Sequence, residues 1–283
     1  MSKIRLSAAA LALAAAPALA QLATPLPSPN ASVTQTIGIT KAEVVYSRPS
    51  VKGRVIWGEL VPWDQVWRTG ANAVTKISFD TDVTVEGQKL PAGAYGLFTI
   101  PGKSEWTVIF NKQSAGSPYD YAADKDALRV KVKPAALAEA KELFTISFPA
   151  VSANGATLQI AWEKVKVSLA VGVDTNAAFL LKAKEAVANA KVDDWRTSYT
   201  AARGLYDMKV APEDAAKFLE RSISTKETFS NLSLKANVLA GQGDKKGALA
   251  VAEKALAAGK AAEQKPSAEA VAELEKSIAA WKK

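Results

Sequence analysis

The chain has 283 residues, with 36 basic and 28 acidic side chains and neither histidine nor cysteine. Without these two residue types it can form no disulfide, no His- or Cys-ligated zinc site and no Ser-His-Asp or Cys-His catalytic group. The formal net charge of +8 is spread evenly along the chain, whereas nucleic-acid binding favours a basic face or stripe. The composition therefore argues against a nucleic-acid partner.

The N-terminus has the pattern of a secretory signal peptide. Lys3 and Arg5 precede an Ala/Leu-rich run that ends in Ala18-Leu19-Ala20, a small-x-small cleavage pattern. The run is shorter than the ~20 residues that span a bilayer, and a retained anchor is the alternative. Residues 1–20 are therefore predicted as a signal peptide, and the mature chain as an exported, periplasmic or secreted protein with no membrane span after cleavage.

The middle of the chain is predicted to be a β domain. Residues 21–31 contain three prolines and predict a stiff, extended leader. Over residues 32–172, short apolar segments alternate with turn residues, which predicts an antiparallel sandwich or open barrel. Strands are predicted at residues 33–39, 43–46, 75–79, 83–85, 95–100, 107–110, 128–132, 144–148, 157–162 and 164–169. One helix is predicted among them, at residues 134–142.

After Asp174 the apolar period becomes that of helices. Six helices are predicted, around residues 179–190, 195–205, 212–223, 229–240, 244–258 and 267–281. Residues 173–283 are therefore predicted as an α-helical hairpin domain, and the fold class as α+β with two domains. Alanines in the fourth and fifth helices resemble the small-residue spacing of a tetratricopeptide repeat, and an unrelated bundle is the alternative.

Three arginines and three tryptophans concentrate in a Gly- and Pro-containing segment, residues 46–72. The planar fork of arginine suits carboxylates, sulfates and phosphates, and tryptophan offers a flat face to a sugar ring or a cation. The candidate ligand-binding residues are Arg48, Arg54, Trp57, Trp67, Arg68 and Asn72. In the structural alternative, the arginines donate to backbone carbonyls and the tryptophans fill the end of the β domain, while Trp106 and Trp162 are predicted core residues.

No catalytic residue, metal ligand or cofactor is predicted. The chain contains no Ser-x-x-Lys, no Gly-x-Ser-x-Gly and no complete phosphate-binding Gly-x-x-x-x-Gly-Lys-Ser/Thr loop. Glu43, Glu59 and Asp64 lie near the Arg/Trp segment, and two carboxylates can cleave a glycosidic bond when they face each other at the right separation. Their alternative role is that of solvated strand ends or partners of the arginines. Asp80-Thr81-Asp82 lacks the glycine and terminal glutamate of an EF-hand loop.

Several peptides, in this order, resemble the signature of the domain of unknown function 2911. They are Gln35-Thr36-Ile37-Gly38, Tyr46-Ser47-Arg48-Pro49, Gly53-Arg54, Trp67-Arg68-Thr69-Gly70-Ala71-Asn72, Leu90-Pro91-Ala92-Gly93, Phe98-Thr99-Ile100-Pro101-Gly102 and Trp106-Thr107-Val108-Ile109-Phe110-Asn111-Lys112. The resemblance covers about residues 32–171 and implies fold and export but no defined activity. Many members carry Trp-Gly ahead of the Tyr and Asp that here are Tyr121 and Asp126, where this chain has Ala115-Gly116-Ser117-Pro118.

These observations predict a non-enzymatic binding or scaffolding module of the cell envelope, which uses the Arg/Trp cluster for an anionic glycan or peptide. An envelope glycan or a protein is the expected partner. The alternatives are a carboxylate-based hydrolase of envelope glycans and a purely structural protein. The helical half would add a partner groove if Trp195, Tyr199 and Phe229 are half-exposed, whereas full burial would make them core residues.

Overall fold

The structure is a computed structural model that describes residues 24–115 and 121–283. The predicted signal peptide, residues 1–20, lies outside the described residues, as does the start of the predicted leader. Strands precede helices along the chain, which confirms the predicted α+β class. The strands are β1 (Asn30–Ile37), β2 (Thr40–Ser47), β3 (Thr75–Phe79), β4 (Val83–Val85), β5 (Gln88–Leu90), β6 (Gly93–Ile100), β7 (Trp106–Asn111), β8 (Asp126–Val132), β9 (Ala135–Ser152) and β10 (Gly155–Val173).

The strands form two antiparallel sheets that pack face to face. One sheet has the order β1-β2-β3-β6-β7-β8 and the other has the order β5-β4-β10-β9. Every second side chain of β3 is buried, so Ile77 and Phe79 enter the same core as Leu158 and Ile160 of β10. The described strands of one sheet do not pair with those of the other, and the architecture is therefore a sandwich rather than a closed barrel.

The helix predicted at residues 134–142 is wrong, because this segment forms the first half of β9. Its Ala, Leu, Glu and Lys residues favour a helix locally, but pairing with β10 outweighs that preference. Lys141 of β9 lies opposite Glu163 of β10, and Ala136 lies opposite Val165. Between these two pairs, β9 contains five residue steps and β10 only two. The surplus residues bulge out of the exposed edge, an arrangement that also discourages pairing with another chain.

Two smaller differences concern the strands around β4 and β10. The segments predicted at residues 157–162 and 164–169 form the single strand β10, with a register shift at Glu163, whose φ is +53°. Residues 88–90 form a strand of their own, β5, which pairs with β4 across the Glu86-Gly87 turn. Both turn residues have positive φ, which is typical of a two-residue hairpin loop.

All six predicted helices are present. They are α1 (Thr175–Asn189), α2 (Trp195–Met208), α3 (Pro212–Thr225), α4 (Phe229–Gly241), α5 (Lys245–Ala261) and α6 (Ala268–Trp281). Side-chain oxygens accept hydrogen bonds at the N-termini of five of them, from the capping residues Asp174, Asp194, Thr228, Asp244 and Ser267. The change from strand to helix falls between Val173 and Thr175, where the apolar period of the sequence changes.

The helices pack as antiparallel neighbours, chiefly α2 with α3 and α4 with α5. Ala236, Ala252 and Ala255 are fully buried between α4 and α5, because small side chains allow two helix backbones to approach closely. Helix α1 also contacts the sandwich, since the ammonium group of Lys182 donates to the carbonyl of Ile39 at 3.1 Å and to Asp80 at 2.8 Å. Over residues 24–115 and 121–283, no helix is both long enough and apolar enough to cross a membrane.

Gly204 of α2 provides a test of the packing between α1 and α2. A Cβ at this position would lie 2.2 Å from Cζ of Phe179 on α1, so Gly204→Ala forces that ring to move. We expect the variant to lose about 1–3 kcal/mol of unfolding free energy, as overpacked sites do, despite the gain of ~1 kcal/mol in helix propensity. Urea denaturation measures the change.

Gly241→Ala is the matched control for this experiment. Gly241 ends α4, and a Cβ there would meet nothing within 4 Å. This substitution should therefore be neutral or slightly stabilising. Equal stabilities for the two variants would show that Phe179 does not occupy the space beside Gly204.

Candidate functional site

The Arg/Trp segment belongs to the β2–β3 connection, residues 48–74, which joins the two sheets at one end of the sandwich. Near its start, the amide of Val51 donates to the carbonyl of Glu142 on β9 at 2.8 Å. Near its end, Trp67 and Thr99 of β6 exchange two backbone hydrogen bonds of 2.7 and 2.8 Å. Because β9 and β6 lie in different sheets, the connection links the two layers and covers part of the β9 edge.

Two of the predicted arginines use their donors within the fold. The half-buried Arg48 donates from Nε to the carbonyl of Phe144 at 2.9 Å and from Nη2 to the hydroxyl of Thr145 at 2.8 Å. Arg54 is exposed and donates to two carbonyls of its own turn, at 3.1 and 2.5 Å. These contacts are those of the structural alternative, in which arginine donates to backbone carbonyls.

The predicted tryptophans lie in an aromatic cluster that both sheets contribute to. Trp57 is at its centre, and its ring centroid lies 4.9–6.4 Å from those of Trp63, Trp67, Trp106 and Trp162. Most of these pairs are edge-to-face, an arrangement favoured by the ring quadrupole. Trp106 and Trp162 are only 2% and 1% exposed, which confirms them as core residues.

Three buried donors of this region have no hydrogen-bond partner among the residues that the structure describes. They are the indole Nε1 atoms of Trp57 and Trp106 and the Nε atom of Arg68. By contrast, Nε1 of Trp67 donates to the carbonyl of Gly70 at 3.1 Å. An unpaired buried donor costs about 1–3 kcal/mol, so these three groups are suited to an oxygen acceptor from outside the chain, such as a water or a ligand.

Asn72 completes the predicted set at the far end of the connection. Its backbone is left-handed, with φ of +55°, and its side chain donates to the carbonyl of Ser28 at 3.0 Å and to the hydroxyl of Ser47 at 3.2 Å. It thereby holds the residues before β1 against the end of β2. The structure thus brings Trp57 and Trp67 together and gives Arg48, Arg54 and Asn72 partners within the protein, and an anionic-ligand site at these residues stays a prediction.

The three candidate carboxylates are spread over the sandwich. Glu43 lies on the outer face of β2, 3.4 Å from the ammonium group of Lys41. Glu59 and Asp64 are exposed in turns of the β2–β3 connection. None of the three lines either of the clefts among the helices that are described below.

A polar network that sequence reasoning missed connects β7 with the start of β8. Asp126 accepts hydrogen bonds from the Tyr121 hydroxyl at 2.7 Å, from Arg129 at 2.6 Å and from Asn111 at 2.7 Å. Burial raises the pKa of Tyr121 above its usual value, and the hydrogen bond to Asp126 adds to the increase. The phenol therefore stays protonated near neutral pH and serves as a donor rather than as a base. Residues 116–118 of the preceding loop lie outside the described residues.

Two adjoining clefts lie among the helices. The wide cleft, of about 750 Å³, is bordered by the first residues of α2 and α4 and by the α5–α6 connection. The narrow cleft, of about 240 Å³, lies between α2, α4 and α6. Phe229 and Ser230 line both, so the two clefts adjoin, and together they are called here the α2/α4/α6 groove.

The aromatic residues of this groove are half-exposed. Trp195 lines the wide cleft, Tyr199 lines the narrow one, and Phe229 lines both. All three are partly buried, and Tyr199 and Phe229 also pack against hydrophobic clusters of the helices. A partner groove at these residues stays a prediction. A sequence signal was available, because Trp195 and Tyr199 are four residues apart and therefore lie on one helix face.

A family model described as a protein of unknown function, DUF2911, matches residues 28–171, just over half of the chain. The chain belongs to this family. The DUF2911 region covers the sandwich from β1 into β10 and ends before α1, so the helices lie outside it. Neither a curated protein nor a solved structure matches the chain.

Arg48 tests the structural contribution of the β2–β3 connection in this DUF2911 domain. Arg48→Ala removes both hydrogen bonds to β9 and leaves the carbonyl of Phe144 without that donor. We expect a loss of about 1–3 kcal/mol of unfolding free energy, measured by chemical denaturation. Arg54→Ala should change stability by less than about 0.5 kcal/mol because the side chain is exposed. An Arg48 variant as stable as the Arg54 variant would contradict this anchoring role.

Proposed function

We propose that this protein is an exported, non-enzymatic binding module of the cell envelope, whose partner occupies the α2/α4/α6 groove. The observation that carries the proposal is the partial exposure of Trp195, Tyr199 and Phe229 where two clefts adjoin. Soluble domains bury most large aromatic side chains, and clustered exposed ones are typical of interaction sites. Export rests on the N-terminal pattern of Lys3, Arg5 and Ala18-Leu19-Ala20.

We further propose that the helices act as a tetratricopeptide-like array. The pairing of α2 with α3 and of α4 with α5, followed by α6, supports this interpretation, as do the buried alanines of the second hairpin. Stacked hairpins place the first helix of each pair on one face and present a concave surface. Here those helices are α2 and α4, which line the groove together with α6.

The polar residues of the narrow cleft suit the main chain of an extended partner segment. Ser230, Ser233 and Asn237 of α4 and Ser277 of α6 line it beside Tyr199. The hydroxyl of Ser233 is buried, and no hydrogen-bond partner for it occurs among the described residues. Hydroxyl and amide groups can donate and accept, as the alternating N–H and C=O groups of a peptide require.

Selection from a display library of random peptides tests this proposal. The protein used is the exported chain itself, recovered from the periplasmic fraction, where its N-terminal sequence should begin at Gln21. We expect a set of peptides to be retained, and Tyr199→Ala to weaken their binding about tenfold, the ~1.4 kcal/mol of a moderate interface contact. Titration calorimetry with a selected peptide measures the affinity.

Tyr206→Ala is the control for this experiment. Tyr206 lies on the same helix and is 39% exposed, but it lines a different cleft. Its replacement should leave the affinity unchanged, and thermal melts of both variants verify the fold. If no peptide is selected, or if the Tyr206 and Tyr199 variants lose affinity equally, the groove is not the binding site.

A second candidate function is binding of an anionic glycan or peptide at the Arg/Trp segment. The unpaired buried donors of Trp57, Trp106 and Arg68 favour it, because a ligand oxygen would satisfy them. Hydrolysis of envelope glycans and a purely structural role are the remaining alternatives. For hydrolysis, two carboxylates must face each other across a cleft, and the described clefts provide no such pair from Glu43, Glu59 and Asp64.

Arg68→Ala distinguishes ligand binding from a structural role at this segment. If Arg68 contacts a ligand, the variant should keep its stability within about 0.5 kcal/mol and lose retention on anionic glycan or peptide fractions of the envelope. If Arg68 is a structural anchor, calorimetry should show a lower melting temperature. A strongly destabilised variant, or an unaltered retention, would remove Arg68 from the binding proposal.

A further inference from the structure

The wide cleft of the α2/α4/α6 groove combines an apolar floor with cationic side chains. Trp195, Phe229 and Ala258 contribute apolar surface, while Arg196, Lys226 and Lys265 contribute positive charge. The three cations come from three separate parts of the chain: the first turn of α2, the α3–α4 connection and the α5–α6 connection. The fold therefore assembles a positive charge cluster that no single stretch of sequence contains.

These three cations lack carboxylate partners in the part of the chain that the structure describes. None of them forms one of the ion pairs found there, whereas Lys254 pairs with Glu227 and so neutralises one of the two carboxylates lining the wide cleft. Glu263 is the other lining carboxylate. Three cations thus line the wide cleft beside one lining acid that forms no ion pair. Asp194, at the start of α2, reduces this positive excess through its interaction with Arg196, and the remaining excess favours an anionic partner.

Arg196 is held in a position suited to carboxylate binding. Its guanidinium carbon lies 4.8 Å from the ring centroid of Trp195, a separation typical of a cation–π contact. This contact uses none of the N–H donors of the guanidinium. A carboxylate accepts two parallel hydrogen bonds from such an edge, and the stacking reduces the conformational entropy that binding would remove.

We infer that the wide cleft selects an acidic peptide, with an Asp or Glu carboxylate at Arg196 and Lys226 and a neighbouring apolar side chain on Trp195 and Phe229. This inference rests on the proposed function, since it assigns a chemical class to the partner in the same groove. A peptide is favoured over a sulfated or carboxylated glycan because the positive cleft adjoins the narrow cleft, whose Ser233 and Asn237 suit a peptide main chain.

The test compares selections on the exported protein and on two variants. Random peptides retained by the wild-type protein should be enriched in Asp or Glu next to aromatic or aliphatic residues. Arg196→Gln and Lys226→Gln should each weaken a selected acidic peptide about tenfold, equivalent to ~1.4 kcal/mol. The affinity of the wild-type protein for that peptide should also fall as the salt concentration rises. Replacing the acidic residues of the peptide by Asn or Gln should lower this affinity at least about tenfold.

Lys217→Gln is the matched control, because Lys217 is an exposed residue of α3 that lines none of the described clefts. It removes the same charge from the same half of the protein and should leave the affinity unchanged. An equal loss in this variant would mean that only long-range attraction acts, which overturns the site. Melting curves of all variants verify that the helices stay folded.

The remaining outcomes separate this inference from the proposed function. If selected peptides carry no excess of acids but still depend on Tyr199, the groove binds peptides and the acidic preference is wrong. If no peptide is retained, both fail. If sulfated or carboxylated oligosaccharides bind more tightly than acidic peptides and depend on Arg196, the partner class is a glycan and the inference is overturned.

Discussion

The sandwich depends on the β2–β3 connection, because this segment bonds to both sheets at the end where they would otherwise meet only through side chains. Its path is strained, since the non-glycine residues Lys52, Asp64, Thr69 and Asn72 all have positive φ. Each such residue costs of order 1–3 kcal/mol. The surrounding structure holds these conformations. Thr69, for example, is fully buried, and its carbonyl accepts a hydrogen bond of 2.6 Å from the hydroxyl of Thr75.

The aromatic cluster beneath the connection offsets this strain. Large rings bury 150–250 Å² each, and a chain without cysteine has no disulfide to hold a long connection in place. The tryptophans thus act where a disulfide-containing protein would use a covalent link. This explains why residue types that are typical of ligand sites also serve packing here.

The sequence predicted the fold class and the helices because their signals are local. Apolar period, turn residues and capping residues lie within a few positions of one another, and all six helices were found. The helix expected at residues 134–142 failed because its Ala-rich composition is a local signal that pairing with β10 outweighs. Fold class is therefore more readily predicted than the conformation of a single exposed edge segment.

The site was less predictable because its contacts are distant in sequence. Arg48 donates to Phe144, 96 residues away, and no spacing rule indicates such a partner. The Asp126–Arg129 ion pair could have been found, since an i,i+3 spacing next to a strand start is visible in the sequence. The positive cleft could not, because Arg196, Lys226 and Lys265 converge only when α2, α4 and α6 are packed.

The helical array is short, and short arrays of hairpins gain stability from whatever covers their ends. Helix α1 has this role at one end, where Lys182 connects it to Ile39 and Asp80 of the sandwich. At the other end α6 packs Leu274 and Ile278 against α4 and α5. With both ends covered, the helices can leave Trp195 and Phe229 partly exposed. In the unbound protein, the side chain of Arg196 covers part of the Trp195 ring. The same contact restrains the guanidinium, so in the proposal made above it both covers part of the free groove and prepares the groove for an acidic partner.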